Sequence, residues 1–291
     1  MGRPRDQFLK ARQAAEQLLR DLRVDALPIN PFEIARRLEI ELKPLPASSG
    51  GASGMLLHVG GAFGIGYPTH INNEGFRRFS VAHELGHYSL PGHIGAVLDE
   101  RGQHLSKAGF RSTDRYEQEA DHFASALLMP ARLFAAVARR VGDGLQAIMT
   151  LQETCETSLE ATALRYAQTS RDPVAVIRSS NGAIDYAVMS SPLMDFRGLD
   201  WVRKGTPLPS LGVTAEFNVD PENIARGRRA GGQGCLQDWF GGEHRQEIVE
   251  EVVGLGGYGK ALTVLTGMEP PDEVEEEEGD LEESWAVRFR R

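Results

Sequence analysis

The spacing of apolar residues changes three times along this chain. In the first part it is helical. Over residues 6–22, Phe8, Ala14, Ala15, Leu18, Leu19 and Leu22 fall on one side of a predicted amphipathic helix. Pro28-Ile29-Asn30-Pro31 breaks it, and Asn30 and Pro31 read as the cap and first position of a second helix running from Phe32 to Leu38. Glu39-Ile40-Glu41-Leu42-Lys43 alternates, which predicts a short strand with Ile40 and Leu42 turned inward, ended by Pro44. Beyond the Gly/Ser-rich stretch 49–54, Met55 to His58 and Gly64 to Tyr67 are short strand candidates. Residues 79–87 return to helical character, with Val81, Ala82 and Leu85 as the apolar side. Residues 88–115 show little periodicity and read as a connection. Tyr116 to Met129 reads as a further helix, striped by Ala120, Phe123, Ala124, Leu127 and Leu128 and stopped by Pro130.

Three helices are predicted next: Ala131 to Arg140, Leu145 to Cys155, and Ser158 to Ala167 with Ser158 as its cap. Their order and short turns resemble a helix-turn-helix unit. From Asp172 the pattern turns to strands. Residues 173–177 and 183–189 flank Ser179-Ser180-Asn181-Gly182, a hairpin signal. Val213 to Val219, Gly234 to Phe240, Gln246 to Val253 and Lys260 to Leu265 are further strand candidates, and Pro221 to Arg228 a short helix. The expected class is α+β. The expected units are 1–130, a helical segment 131–170, a sensor-like α+β domain 171–267, and a terminal stretch 268–291.

The chemistry concentrates in two of these helices. His83-Glu84-Leu85-Gly86-His87 places two histidines four residues apart, on one helical face, where both imidazoles can address one metal ion. Glu84 follows the first histidine and can serve as general base toward water. Catalytic zinc takes three protein ligands, so a third is required. Glu117 and Asp121 lie four apart beside the apolar stripe of their helix. Carboxylates there are costly unless they meet positive charge. Glu117 is the expected ligand. Glu119 is the rival, although it points well round the helix from Asp121. Asp121 is the expected acceptor for the far nitrogen of a ligand histidine. His93 and His104, in the connection, are expected at the surface rather than at the metal.

Residues 77–87, Arg-Arg-Phe-Ser-Val-Ala-His-Glu-Leu-Gly-His, together with Glu-x-x-Ala-Asp-x-Phe-Ala-x-x-Leu-Leu-Met-Pro at 117–130, resemble the ImmA/IrrE family of bacterial metallopeptidases. The resemblance covers roughly residues 10–170 well and the rest loosely. It implies a gluzincin-like zinc peptidase domain in which His83, His87 and Glu117 hold the metal and Glu84 is catalytic. It further implies a helix-turn-helix-like segment, with Tyr166 near the metal as donor to the reaction's oxyanion, and a C-terminal GAF-like domain. A sheet edge is expected along the cleft, with Gly64 to Tyr67 as its candidate. The implied substrate is a helix-turn-helix transcriptional repressor, cleaved to release stress-response or mobile-element genes. The alternative is a non-hydrolytic regulator that binds a repressor or DNA through the same scaffold; an intact Glu84 speaks against it.

Charge refines this picture. The net charge of −9 over 291 residues is misleading, because residues 272–284 carry nine acidic side chains and no basic one, leaving the remainder near neutral. Such a run reads as a solvated linker, followed by the aromatic and basic tail Trp285 to Arg291. Within 131–171 five arginines face four acids, and the third helix offers only Arg165, so direct DNA binding is not expected. Two distant cysteines, Cys155 and Cys235, suggest a reducing cytoplasm and exclude a cysteine-built zinc site. No apolar run approaches the roughly 18 residues of a membrane helix. Zn²⁺ is the expected metal, and Mn²⁺ or Fe²⁺ suit the same donors.

Overall fold

The computed structural model describes residues 4–45, 51–69, 73–107, 114–242 and 245–269. The acidic run and the Trp285–Arg291 tail lie outside the described residues. Helix α1 (Pro4–Asp21) buries Ala11, Ala15 and Leu19. Helix α2 (Pro31–Arg37) begins as its sequence dictates: Asn30 Oδ1 accepts the Phe32 and Glu33 N–H groups at 3.0 and 3.2 Å, with Pro31 in the first turn.

Strands β1 (Glu41–Leu45), β2 (Ala52–Val59), β3 (Ala62–Pro68) and β4 (Gln103–Lys107) form a sheet of order β1-β3-β2-β4. Two sequence expectations are corrected here. Gly64 to Tyr67 is not an edge, because β3 pairs in parallel with β1 on one side and antiparallel with β2 on the other. Residues 88–115 are not simply a connection, because they hold a short helix, α4 (His93–Val97), and β4, which pairs antiparallel with β2 and, among the described residues, has no partner on its other edge. The ladder to β2 is a non-local interaction that no local periodicity announces.

Helix α3 (Glu74–Ser89) is capped by Asn73, whose Oδ1 accepts the Phe76 N–H at 3.0 Å. It lies between this sheet and α5 (Arg115–Leu128), which α1 covers from the far side. Gly86 permits the α3–α5 approach, since a methyl there would stand 3.1 Å from Ala120 Cα. Pro130 ends α5, and α6 (Ala131–Val141), α7 (Gly144–Cys155) and α8 (Leu159–Thr169) come next, close to their expected bounds. Ser158 caps α8, accepting the Ala161 N–H at 3.2 Å.

The C-terminal part is an antiparallel sheet of order β6-β5-β9-β8-β7, from β5 (Ala175–Ser180), β6 (Ala183–Met189), β7 (Arg229–Cys235), β8 (Glu247–Gly254) and β9 (Lys260–Thr266). Asn181 and Gly182, both at positive φ, close the expected β5–β6 hairpin. Short helices α9 (Ser191–Met194), α10 (Val213–Val219), α11 (Pro221–Ala225) and α12 (Leu236–Phe240) decorate it. Val213 to Val219 was expected as a strand and is helical. Its buried residues Thr214 and Phe217 are three apart, and the Glu250 carboxylate accepts the Thr214 N–H at 2.6 Å. Likewise the strand expected from Gly234 to Phe240 stops at Cys235. Leu236, Trp239 and Phe240 are then buried from one helical turn.

One hydrophobic cluster runs from α1 through α3, α5 and α7 to Val174, Val176, Val253, Leu262 and Val264 of the C-terminal part. Consecutive residues of β8 tie helices to it from opposite faces. Glu250 caps α10, and Glu251 accepts the Leu145 N–H of α7 at 2.7 Å. No helix among the described residues is long and apolar enough to cross a membrane. Glu251→Ala is expected to lower the unfolding free energy by about 1–2 kcal/mol, the usual loss for a helix N-terminal acceptor. Glu251→Gln, which keeps an acceptor, should recover most of it; denaturant unfolding of the three chains checks this.

Candidate metal centre

The α3 segment Ser80–His87 is buried throughout. Its two histidines project toward α5. His83 Nε2 and His87 Nε2 face each other at 3.1 Å, and both face the Glu117 carboxylate at 3.3 and 3.4 Å. One donor atom from each of His83, His87 and Glu117 lies within 4.8 Å of the others. Glu117 sits in the first turn of α5, which Asp114 opens by accepting the Tyr116 N–H at 2.7 Å.

Each histidine is held from behind. His83 Nδ1 lies 2.9 Å from Asp121 Oδ1. A carboxylate only accepts, so Nδ1–H donates to Asp121, and Nε2 is the nitrogen turned toward Glu117 and His87. His87 Nδ1 instead meets His93 Nδ1 at 3.1 Å. His93 Nε2 lies 3.0 Å from Glu119 Oε2, and Arg115 Nε donates to Glu119 Oε1 at 2.6 Å. Glu117 thus faces both histidines and Asp121 backs His83, while Glu119 faces away toward His93 and Arg115. His93 does not match its expectation: it is fully buried at the start of α4 rather than on the surface.

The sheet adds His104, which the sequence reading expected at the surface, and Ser106, which it did not consider. His104 and Ser106 alternate inward along β4. His104 Nε2 lies 3.0 Å from Glu117 Oε1, so His104 reaches the site from which the reading excluded it. Ser106 Oγ donates to Glu84 Oε1 at 2.6 Å. Their signal was the inward spacing of two residues, but β4 contains no β-branched residue to mark a strand. Glu84 is fully buried and its Oε2 has no hydrogen-bond partner among the described residues. Gly54 of β2 leaves the room Glu84 occupies, since a Cβ there would collide with Glu84 Oε1.

The electrostatics follow from burial and crowding. Burial works to raise the Glu117 carboxyl, but the His104, His83 and His87 imidazoles that face it hold it far below the usual carboxylate range. Burial opposes charge on His83 as well. There Asp121 and Glu117 prevail and raise it to about 10. His87, buried and beside other imidazoles, falls to about 4. Burial pushes Glu84 up, against the attraction of His83. Three carboxylates thus crowd imidazoles whose Nε2 atoms converge, and Glu84 keeps a buried oxygen with no hydrogen-bond partner among the described residues. Such a donor set fits a divalent cation, held by His83, His87 and Glu117.

Tyr166 is placed elsewhere. It is buried at the α7–α8 side, hydrogen-bonded to the Gly144 backbone near Asp143, Asp172 and Glu251, and burial raises it to about 12. Its position on α8 packs it into the helical segment, and the structure does not bring it into the histidine cluster.

Comparison with known proteins agrees with this geometry. Residues 64–166 match the Peptidase_M78 family model, described as an IrrE N-terminal-like domain. That segment carries His83, Glu84, His87 and Glu117, and the match supports the likeness of this part of the chain to the ImmA/IrrE family of metallopeptidases. No curated protein matches the chain. A solved structure described as a Mycobacterium tuberculosis transcriptional regulator superposes with a TM-score of 0.56, covering 88% of this chain and 76% of that one at 18% identity. At that identity the likeness is one of fold.

Tyr166→Phe is expected to leave metal content unchanged and to cost about 1 kcal/mol of stability, the net worth of one internal hydrogen bond. Metal analysis alongside thermal unfolding checks it.

Proposed function

We propose that the chain is a cytoplasmic zinc-dependent endopeptidase of the gluzincin kind that cleaves a helix-turn-helix transcriptional repressor and so derepresses stress-response or mobile-element genes. The observation that carries this reading is Glu84, buried beside the His83–His87–Glu117 cluster with Ser106 on one oxygen and, among the described residues, nothing on the other. A regulator that only binds has no use for such a carboxylate.

A divalent cation held by His83, His87 and Glu117 would supply a Lewis acid and an acidified water. Zn²⁺ suits two imidazoles and a carboxylate, as Mn²⁺ or Fe²⁺ also do. Glu84 Oε2 takes the proton of the attacking water and returns it to the leaving amine. Its raised proton affinity suits that task, and Ser106 fixes its rotamer. His104, whose Nε2 lies 3.0 Å from Glu117 Oε1, takes the oxyanion-donor role expected of Tyr166. The open edge of β4 offers main-chain groups to an extended peptide.

We read residues 1–130 as the peptidase unit, 131–170 as a helix-turn-helix-like segment and 171–267 as a GAF-like sensor. Arg165, the basic residue of α8, is buried and its Nε donates to Met129 O at 3.0 Å. That supports a packing role for this segment over DNA reading. Cys155 and Cys235 are free thiols, which fits a reducing compartment. The alternative, a non-hydrolytic regulator binding a repressor or DNA, draws on the description of the fold neighbour as a transcriptional regulator.

The deciding experiment is co-expression with the repressor encoded nearest the chain's own gene, followed by mass spectrometry of fragments. Wild type should cleave it. Glu84→Gln should abolish cleavage with metal retained, while His83→Ala, His87→Ala and Glu117→Ala should each lose stoichiometric metal as well. Unchanged regulatory output in Glu84→Gln would establish the alternative. Asp121→Ala should weaken metal affinity about 10–100-fold, the usual effect of losing an orienting partner. Added zinc should restore part of its activity and none of that of Glu84→Gln.

A further inference from the structure

We propose that His93 is a positioning residue. Through the chain His87–His93–Glu119–Arg115 it fixes the tautomer of His87, so that Nε2 of His87 presents its lone pair to the metal. The proposal rests on the metal-site reading and extends it to residues outside the ligand set.

The direction of the chain follows from donor chemistry once a cation, rather than a hydrogen, stands between His87 Nε2 and the Glu117 carboxylate, 3.4 Å apart. Arg115 Nε can only donate, and it does so to Glu119 Oε1 at 2.6 Å. Glu119 Oε2 can only accept, so the hydrogen across its 3.0 Å contact belongs to His93 Nε2. A neutral imidazole with its proton on Nε2 has its lone pair on Nδ1. At 3.1 Å that lone pair meets His87 Nδ1, which must supply the hydrogen. The remaining nitrogen of His87 is then bare, and it is the one that faces His83 Nε2 and Glu117. Arg115 balances the charge of Glu119, so the chain needs no proton beyond those named.

Burial makes the arrangement binding. His87 and His93 are both fully buried, so bulk water does not stand in for a missing acceptor. A buried imidazole N–H without a partner bears its full desolvation penalty, which is enough to reverse a tautomer preference. The two candidate metal histidines are thus set by different devices. Asp121 acts on His83 directly, and on His87 an intervening imidazole relays the choice made at Glu119.

An isosteric change tests the relay. In Glu119→Gln the amide oxygen must still face Arg115 Nε, so the amide NH₂ faces His93. His93 then carries its proton on Nδ1, and His87 is driven to carry its own on Nε2, where it cannot ligate. The full-length chain, stripped with a chelator and labelled with ¹⁵N-histidine, reports each tautomer by two-bond nitrogen–carbon-proton correlation. Competition with a chromophoric chelator reports Zn²⁺ affinity.

Expected are an Nδ1-protonated His87 in the wild type, and in Glu119→Gln an Nε2-protonated His87 with Zn²⁺ binding weakened about 10–100-fold. In Arg115→Ala/Glu119→Gln the amide is free to turn, and both readouts should move back toward wild type. A role in packing alone would move neither tautomer nor produce that rescue. The proposal is overturned if wild-type His87 carries its proton on Nε2, or if Glu119→Gln leaves its tautomer unchanged. If the wild type binds no Zn²⁺, the metal reading fails, and the tautomers of the stripped chains still decide the relay.

Discussion

A buried ionisable group is tolerated only where its charge and hydrogen bonds are met, and the middle of α3 buries three such groups in five residues: His83, Glu84 and His87. The rest of the N-terminal half is arranged to meet that demand. Strand β4 presents Ser106 to Glu84 and His104 to Glu117. Helix α5 presents Glu117 to both histidines and Asp121 to one, and α4 presents His93 to the other. Three elements from separate parts of the sequence are therefore tied to one helix by directional contacts. Two glycines set their distance: Gly86 lets α5 approach α3, and Gly54 leaves the space that the Glu84 carboxylate fills.

The same helix anchors the later elements of the chain. Arg78, buried on α3 ahead of the histidines, donates to Ile29 O and pairs with Glu156 at the end of α7 at 2.7 Å. Arg165 of α8 donates to Met129 O at the end of α5. Arg165 thus satisfies the end of α5, and Arg78 ties α3 to the segment before α2 and to the end of α7, so the helical segment is joined to the N-terminal half by buried contacts. The C-terminal sheet is joined in turn through Glu251 at α7 and through the shared apolar cluster.

Helices that carry their own punctuation were legible from the chain alone. Asn30-Pro31, Ser158 and Pro130 bound their elements as read, because a cap or a proline acts on residues within one turn of itself. Val213 to Val219 and Leu236 to Phe240 were misread as strands. In short apolar runs period alone does not separate the two states, and here Glu250 on a distant strand supplied the cap for one of them.

The candidate site divides along the same line. His83, Glu84 and His87 are set by spacing within one turn of helix, and Glu117 and Asp121 by spacing within another, so the sequence by itself determined that these five side chains form two coherent faces. It did not determine what surrounds them. His104 and Ser106 reach the cleft only because β4 pairs with β2, and His93 only because α4 turns back under α3; each depends on contacts between residues outside its own local pattern. Tyr166 fails to join them for the converse reason. Its place on α8 was read from a local pattern, while packing of α8 against α7 and the β5–β6 hairpin turned its hydroxyl toward Gly144. Local geometry thus wrote the metal-facing pairs into the sequence, and the groups that orient and complete them come from non-local packing, which the tertiary structure alone decides.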